Sequence, residues 1–296
     1  MKKYTALSLL VVVGLVLAAC AGSATQPPTA APVATTAPDD LLNDIKTRGA
    51  MKVSTDPNYA PQSFLKPDGS YEGFDIDVAN ELGKRLGVKV EFVTPSWDTI
   101  TAGNWGGQWD ISVGSMTVTT ARESVLYFTT PYYYTPAQFA AAKDSGITSI
   151  DQIAGQAVCV GSATTYESWL NGDMESLGLP AASIFTTAPA NIKVVPLETD
   201  QECAQAIASG RKEFSVYLTS QTVVNSNIAN DAPVAAVGKP VFSENLSVAI
   251  DRNSTKDATS LVAALDEAVK AMHTDGTMKK LSEQWFQVDL TQDPTK

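Results

Sequence analysis

At 296 residues the chain is longer than one ordinary domain needs, and it suits two modest lobes, each with its own core. A formal charge of −11 sets it against nucleic acid and anionic lipid surfaces, which are held by basic faces. Three cysteines and one histidine make no metal-ligand cluster of recognisable spacing, and no Ser-His-Asp or Cys-His constellation is visible.

Lys2 and Lys3 precede an apolar run from Ala6 to Ala19 that only Ser8 and Gly14 interrupt. The run is too short and ends too abruptly for a spanning helix, so residues 1–19 read as a signal peptide. Leu17-Ala18-Ala19-Cys20 resembles a bacterial lipobox, in which cleavage precedes a cysteine that becomes diacylated. The alternative is a plain secretory signal with an incidental cysteine. Residues 20–40 are rich in Ala, Thr and Pro and lack aromatics, which predicts a disordered tether. Together these segments describe a soluble domain anchored to the outer face of the cell membrane through lipid on Cys20. Removing residues 1–19 takes two lysines and no acid, so the charge falls by two, from −11 to −13. Cys159 and Cys203 are then left. Outside the cytoplasm they form either a disulfide or two buried thiols.

From Leu41 onward strands and helices alternate. Met51–Ser54 reads as a strand, followed by a loop through Asp56-Pro57-Asn58-Tyr59. Asp75 to Leu86 puts Val78, Ala79, Leu82 and Leu86 on one helical face, and Gly87 stops it. Lys89–Val93 and Asp110–Val113 are the next strands. A second series starts with Ala157–Val160 and a helix opening at Thr164-Thr165-Tyr166-Glu167, which has capping-box form. It continues through Ile192–Val195, a helix Asp200–Ser209, and Phe214–Leu218. Near the end Leu261, Leu265, Ala268 and Met272 mark an amphipathic helix, closed at Gly276, with His273 a surface residue near its end. Repeated βαβ units imply an α/β fold of parallel sheets with ligands at the strands' carboxyl ends. Two such series imply two lobes with a cleft between them.

The most informative segment is Asp110 to Arg122. A strand leads into a Gly114-Ser115-Met116-Thr117 loop, and Thr120-Ala121-Arg122-Glu123 has capping-box form, placing Arg122 in the first turn of a helix. A guanidinium fork beside hydroxyls and free amides at a helix's amino end is a carboxylate cradle.

The chain resembles the polar amino-acid family of extracytoplasmic solute-binding proteins over roughly residues 41 to 290. The resemblance is carried by Thr55–Pro61, Tyr71–Leu82, Gly114–Arg122, Tyr127–Tyr133, Val160–Glu167, Ala208–Arg211, Asp275-Gly276-Thr277 and Trp285-Phe286. It implies a type II clamshell: two lobes, each a mostly parallel sheet flanked by helices. The hinge would be crossed near Tyr134–Phe139 and Asn245–Val248. Lobe 1 would hold residues 41–135 and 245–296, and lobe 2 residues 136–244. It also implies a monomer that delivers a carboxylate-bearing ligand, an amino acid or an analogue, to an ABC permease, without a cofactor or catalytic residues.

By the same resemblance Arg122 grips the ligand α-carboxylate, Ser115 and Thr117 add donors, and Gly114 offers its carbonyl to the ammonium. Thr165 closes on the carboxylate from lobe 2, while Tyr59 and Trp97 wall the ligand side chain. Asp56 either meets a side-chain cation or is only a turn residue before Pro57. One departure stands out. Where the family carries an aspartate for the α-ammonium, this chain has Leu218, with Thr219 and Ser220 next. Since a buried ammonium without a counter-charge is costly, either a carboxylate comes from Glu213, Glu198 or Asp200, or the ligand's nitrogen differs. An alkylated nitrogen would suit Tyr59, Trp97, Tyr166 and Tyr217. Gln62 stands where a phenylalanine is common. The alternatives to a transport receptor are a dehydratase of the cyclohexadienyl or arogenate type on the same fold, and a sensing lipoprotein.

Overall fold

The computed structural model describes residues 39–296. The signal peptide expected over 1–19, the lipid-bearing Cys20 and the tether up to residue 38 lie outside the described residues. Asp39 and Asp40, read as tether, are part of the folded body. The Asp39 carbonyl accepts from the Asp257 amide at 2.8 Å. The Asp40 carboxylate caps the first helix by accepting from the Asn43 amide at 2.8 Å.

The elements of the first half are α1 (Leu41–Arg48), β1 (Ala50–Ser54), β2 (Asn58–Tyr59), β3 (Ser63–Leu65), β4 (Tyr71–Glu72), α2 (Phe74–Leu86), β5 (Lys89–Val93), α3 (Trp97–Thr101), β6 (Ile111–Thr117), α4 (Thr120–Glu123), β7 (Leu126–Phe128) and β8 (Tyr133–Ala142). There follow β9 (Ala157–Gly161), α5 (Thr165–Leu170), α6 (Met174–Leu177), β10 (Lys193–Leu197), α7 (Asp200–Ala208), β11 (Val216–Ser220), α8 (Gln221–Ala229), β12 (Val234–Asp251), α9 (Thr259–Thr274) and α10 (Thr277–Phe286). Among the described residues no helix is long and apolar enough to cross a membrane.

The strands β1, β5 and β6 pair in parallel, as do β9, β10 and β11. What joins the two groups is a pair of long antiparallel strands, β8 and β12, in register at Thr135↔Glu244 and Tyr134↔Asn245. The result is one nine-stranded sheet, in the order β10-β9-β11-β8-β12-β6-β1-β5, with β7 paired off this path to β12. Side chains divide where the sheet does not. Tyr133 and Leu246 belong to one apolar core, Ala137 and Phe242 to another. The change of core within four residues on each crossing strand is the structural basis of a two-part molecule.

Helix α9 buries Leu261, Leu265, Ala268 and Met272 against the first core, which is the face its 3.6-residue period assigns. Truncating Leu265 to alanine there would cost about 2–5 kcal/mol. Gly276 closes this helix as read, and with φ at 80° it also separates α9 from a further helix, α10, whose Trp285 indole donates to Asp77 Oδ2 at 2.8 Å.

Three boundaries differ from expectation, each for a tertiary reason. Strand β6 runs on through Gly114 to Thr117, because Met116 and Thr117 pair with Ser247 and Leu246 of β12. The Gly-Ser-x-Thr segment is therefore strand, kinked at Ser115 where φ is 54°. Strand β11 sits two residues later than read, since Val216 and Tyr217 pair with Val158 and Cys159. It ends at Ser220, which caps α8. The cap of α4 is Thr119, one residue before the expected Thr120; its hydroxyl accepts from the Arg122 amide at 3.2 Å. A disulfide joins Cys159 on β9 to Cys203 on α7, with Cα atoms 5.7 Å apart.

Candidate functional site

Between the two cores lies a small cavity of about 50 Å³. The first half brings Asp56 and Tyr59 from the segment after β1, Trp97 from the start of α3, Gly114, Ser115 and Thr117 from β6, and Arg122 from α4. The second half brings Thr165 from α5. All eight ligand-contact candidates from the sequence thus line one space. Leu218 and Thr219 do not: Leu218 is fully buried in the second core, and Thr219 points the other way, donating its hydroxyl to Asp200 Oδ2 at 2.9 Å.

Arg122 is only 7% exposed and stacks beside Trp97, its guanidinium carbon 5.3 Å from the ring centroid. Two of its five donors are used, one on the Thr117 carbonyl at 3.1 Å and one on the Ala163 carbonyl at 2.9 Å. The second bond spans the two halves. Among the described residues no carboxylate oxygen lies within 4.0 Å of it. Burial pulls its pKa down to about 10, partly opposed by the charge of Glu244.

Four carboxylates line the same cavity: Asp56, Glu198, Asp200 and Glu244. Glu244, on the crossing strand β12, is 2% exposed and takes three hydroxyl bonds. Thr117 Oγ1 donates to its Oε1 at 2.7 Å, Thr165 Oγ1 donates to the same oxygen, and Tyr166 OH donates to Oε2 at 2.6 Å. Asp200 opens α7 and accepts from the Gly161 amide at 2.6 Å on Oδ1, besides Thr219 on Oδ2. Burial raises the pKa of Glu244, and it pushes Asp200 up to about 7, with Glu244 and Asp56 adding like-charge repulsion. Asp56 is raised by burial too, while its Oδ1 accepts from the Asn58 amide at 2.7 Å. It is thus both a turn residue and a cavity residue.

Several roles drawn from the sequence change in detail. Ser115 lines the cavity with both donors engaged elsewhere. Its amide donates to Tyr132 OH at 2.9 Å, and its hydroxyl bonds Asp75 Oδ2 at 2.8 Å. Thr117 and Thr165 spend their hydroxyls on Glu244. Of the aromatics, Tyr59, Trp97 and Tyr166 line the cavity, whereas Tyr217 sits in a core behind it and accepts from Asn227. Glu213 lies before β11, exposed and ion-paired with Arg211, far from any role here. Gln62 is fully buried and donates across to Ser220 Oγ at 3.2 Å and Thr222 Oγ1 at 2.7 Å, a polar link that phenylalanine would not make. His273 is half-buried rather than a free surface residue, donating from Nε2 to the Pro131 carbonyl at 2.9 Å.

Two functional candidates escaped the sequence reading. Glu244 is a lone carboxylate inside the otherwise uncharged run Val241–Val248, and that contrast was its one available signal. Asp75 is fully buried under Ser115 and Tyr132, and burial pushes its pKa up to about 7. Among the described residues no group of three or more His, Cys, Asp or Glu side chains is arranged to hold a metal ion.

The sequence profile of the bacterial extracellular solute-binding proteins, family 3, matches residues 51–288. The L-cystine-binding protein of Escherichia coli K12 is 28% identical over 257 residues, covering 86% of this chain and 89% of the relative. A solved ancestral amino acid-binding protein, described as a precursor of cyclohexadienyl dehydratase, is 32% identical with a TM-score of 0.68, covering 83% of this chain and 99% of that one. An ancestral arginine-binding protein solved with arginine is 27% identical with the same TM-score of 0.68, covering 81% and 99%.

Proposed function

Because the chain belongs to the bacterial extracellular solute-binding proteins of family 3, we propose that it is the extracytoplasmic receptor of an ABC importer. It binds an amino acid, or an amino-acid-like carboxylate, in the cavity between its two halves. The observation that carries the ligand class is Arg122: a buried guanidinium lining the cavity with no carboxylate within ion-pair distance. A buried cation left that way is costly, and a ligand carboxylate meeting its free donors removes the cost.

Residues 41–135 with 245–296 form one lobe and residues 136–244 the other, turning about β8 and β12 where they cross between cores. The ligand carboxylate docks first on Arg122, against the face of Trp97, with Tyr59 and Tyr166 walling its side chain. Closure of the second lobe then brings the Ala163 carbonyl and Thr165 to the site and excludes water, which strengthens the charge pairing. A lipid on Cys20 would keep this monomer beside its permease. One observation favours a second reading, the likeness to a dehydratase precursor, although that protein is itself described as amino acid-binding. Turnover of prephenate or arogenate by the purified chain would establish it.

A thermal-shift screen over amino acids, betaines and simple carboxylates identifies the ligand, and calorimetry on Arg122→Ala tests the site. The variant is expected to fold and to bind at least about 100-fold more weakly, the scale of a lost desolvated charge pair. Affinity within about threefold of wild type would end the assignment of Arg122.

A further inference from the structure

We propose that Asp200 and Glu244 together receive the ligand's α-ammonium, taking over the part played in the family by a strand-end aspartate where this chain has Leu218 and Thr219. The inference rests on the amino-acid reading above and concerns the end of the ligand that Arg122 leaves undefined.

The buried charges point to it first. Asp200 is 5% exposed and Glu244 2%, and among the described residues neither has a cation within 4.0 Å. Arg122, in the same cavity, makes no ion pair within 4.0 Å and feels Glu244 only at longer range. One wall therefore carries a cation without a direct partner and another wall two such anions, which is the negative image of a zwitterion. A simple carboxylate would satisfy only Arg122.

Hydrogen-bond capacity agrees. An ionised carboxylate offers about four acceptor positions. Asp200 has two filled, by the Gly161 amide and the Thr219 hydroxyl, and Glu244 has three filled, by Thr117, Thr165 and Tyr166. About three positions remain, equal to the three N–H donors of a primary ammonium. A quaternary nitrogen has none to offer, so the same count disfavours a betaine.

The surroundings are built to hold Asp200 in place. A Cβ on Gly161 would stand 2.6 Å from Asp200 Oδ1 and 3.2 Å from its amide nitrogen, so glycine is what admits the carboxylate. The disulfide ties β9 to α7 at Cys159 and Cys203, the two elements that meet at this contact. Thr219, one step from the position of the family's aspartate, points its hydroxyl at Asp200. The negative group has moved from the strand to the facing helix, and the strand residue now orients it.

The test compares the tightest binder among the twenty standard L-amino acids and L-cystine with its α-deaminated acid, in which hydrogen replaces the ammonium. Both probes are titrated calorimetrically into the full chain and into Asp200→Asn, Glu244→Gln and the double variant Asp200→Asn/Thr219→Asp. The expected result is that wild type prefers the amino acid by at least about 100-fold and that each single variant loses about 30-fold or more for it. The deaminated acid should bind all forms within about threefold, and Thr219→Asp should restore most of the amino-acid affinity to Asp200→Asn. Equal binding of both probes by wild type, or amino-acid affinity unchanged in both single variants, overturns the proposal while leaving the receptor reading standing. Failure of every one of these amino acids to bind wild type removes the amino-acid reading of the ligand, and this assignment with it. Circular dichroism separates lost binding from lost fold. Should Glu244→Gln not fold, Asp200→Asn and its rescue decide alone.

Discussion

Replacing Asp200 by asparagine should stabilise the ligand-free protein, and the gain should grow with pH. In the folded chain burial holds this carboxyl at about 7, against an ordinary value of 3.8. A carboxyl whose pKa is raised by folding stabilises the fold while protonated, and that contribution is lost as pH rises from about 4 to about 7. Asparagine keeps the shape of the protonated acid and cannot ionise. At pH 5 the native Asp200 is still protonated while the unfolded carboxyl has ionised, so wild type has lost roughly a third of the contribution. At pH 8 the loss is complete. Integrating between those pH values with 1.36 kcal/mol per unit gives a further advantage to Asp200→Asn of about 3 kcal/mol, or roughly 5–10 °C in melting temperature for a chain of this size. The groups facing Asp200 keep the sign. Glu244 and Asp56 repel it, Thr219 and the Gly161 amide favour its ionised form, and Asp75, also at about 7, titrates alike in both proteins and cancels. Melting curves of both proteins at pH 5, 6, 7 and 8 without ligand measure it. An advantage that stays flat across that range, or a variant less stable than wild type at pH 8, would refute the reasoning.

Closure can be probed away from the cavity. A Cβ on Gly178, at the end of α6, would fall 2.0 Å from Thr120 Oγ1 and 3.2 Å from the Thr120 amide on the opposite half. Gly178→Ala should therefore weaken ligand binding by about tenfold in calorimetry, whereas Gly172→Ala, equally positive in φ with nothing within 4 Å, should only lose about 1 kcal/mol of stability. Equal affinity in the two variants would show that α6 does not meet α4 in the bound state. The disulfide spans a sequence separation of 44, so Cys159→Ser/Cys203→Ser should lower unfolding free energy by up to about 4 kcal/mol on the chain-entropy account. Urea titration with and without reductant checks this, and a loss under about 1 kcal/mol would mean the bond constrains little.

Local rules recovered what local forces build. The buried stripe of α9, the cap at Thr164, and the strand at Lys89–Val93 all follow from residues within one or two turns of each other. The cavity's first-half wall was equally legible, because Gly114 to Arg122 is nearly continuous in sequence. What could not be read is set by distant partners. Strand β6 gains its last residues from β12, and the matching residue for Met116 is Ser247. Glu244 owes its place to Thr117, Thr165 and Tyr166, which are 127, 79 and 78 residues away. In isolation its segment is one more strand with a stray charge. The bounds of β11 were off by two residues, yet the chemical conclusion, that no carboxylate stands on that strand, is what directs attention to Asp200.

Stability and affinity in this cleft share one electrostatic origin. Four carboxylates line it against one guanidinium, and burial raises the pKa of Asp56, Asp200 and Glu244. Bringing those groups together destabilises the empty protein, and the penalty is relieved only when a cation arrives between them. A ligand ammonium therefore gains from the protein what folding lost, which makes the cleft selective against carboxylic acids that Arg122 would otherwise accept. The same substitution must then move the two properties in opposite directions. Asp200→Asn raises the melting temperature of the empty chain and shrinks the ligand-induced rise above it. A screen for stability alone would score the variant as an improvement, whereas melting over a series of amino-acid concentrations would identify it as a weakening of the site.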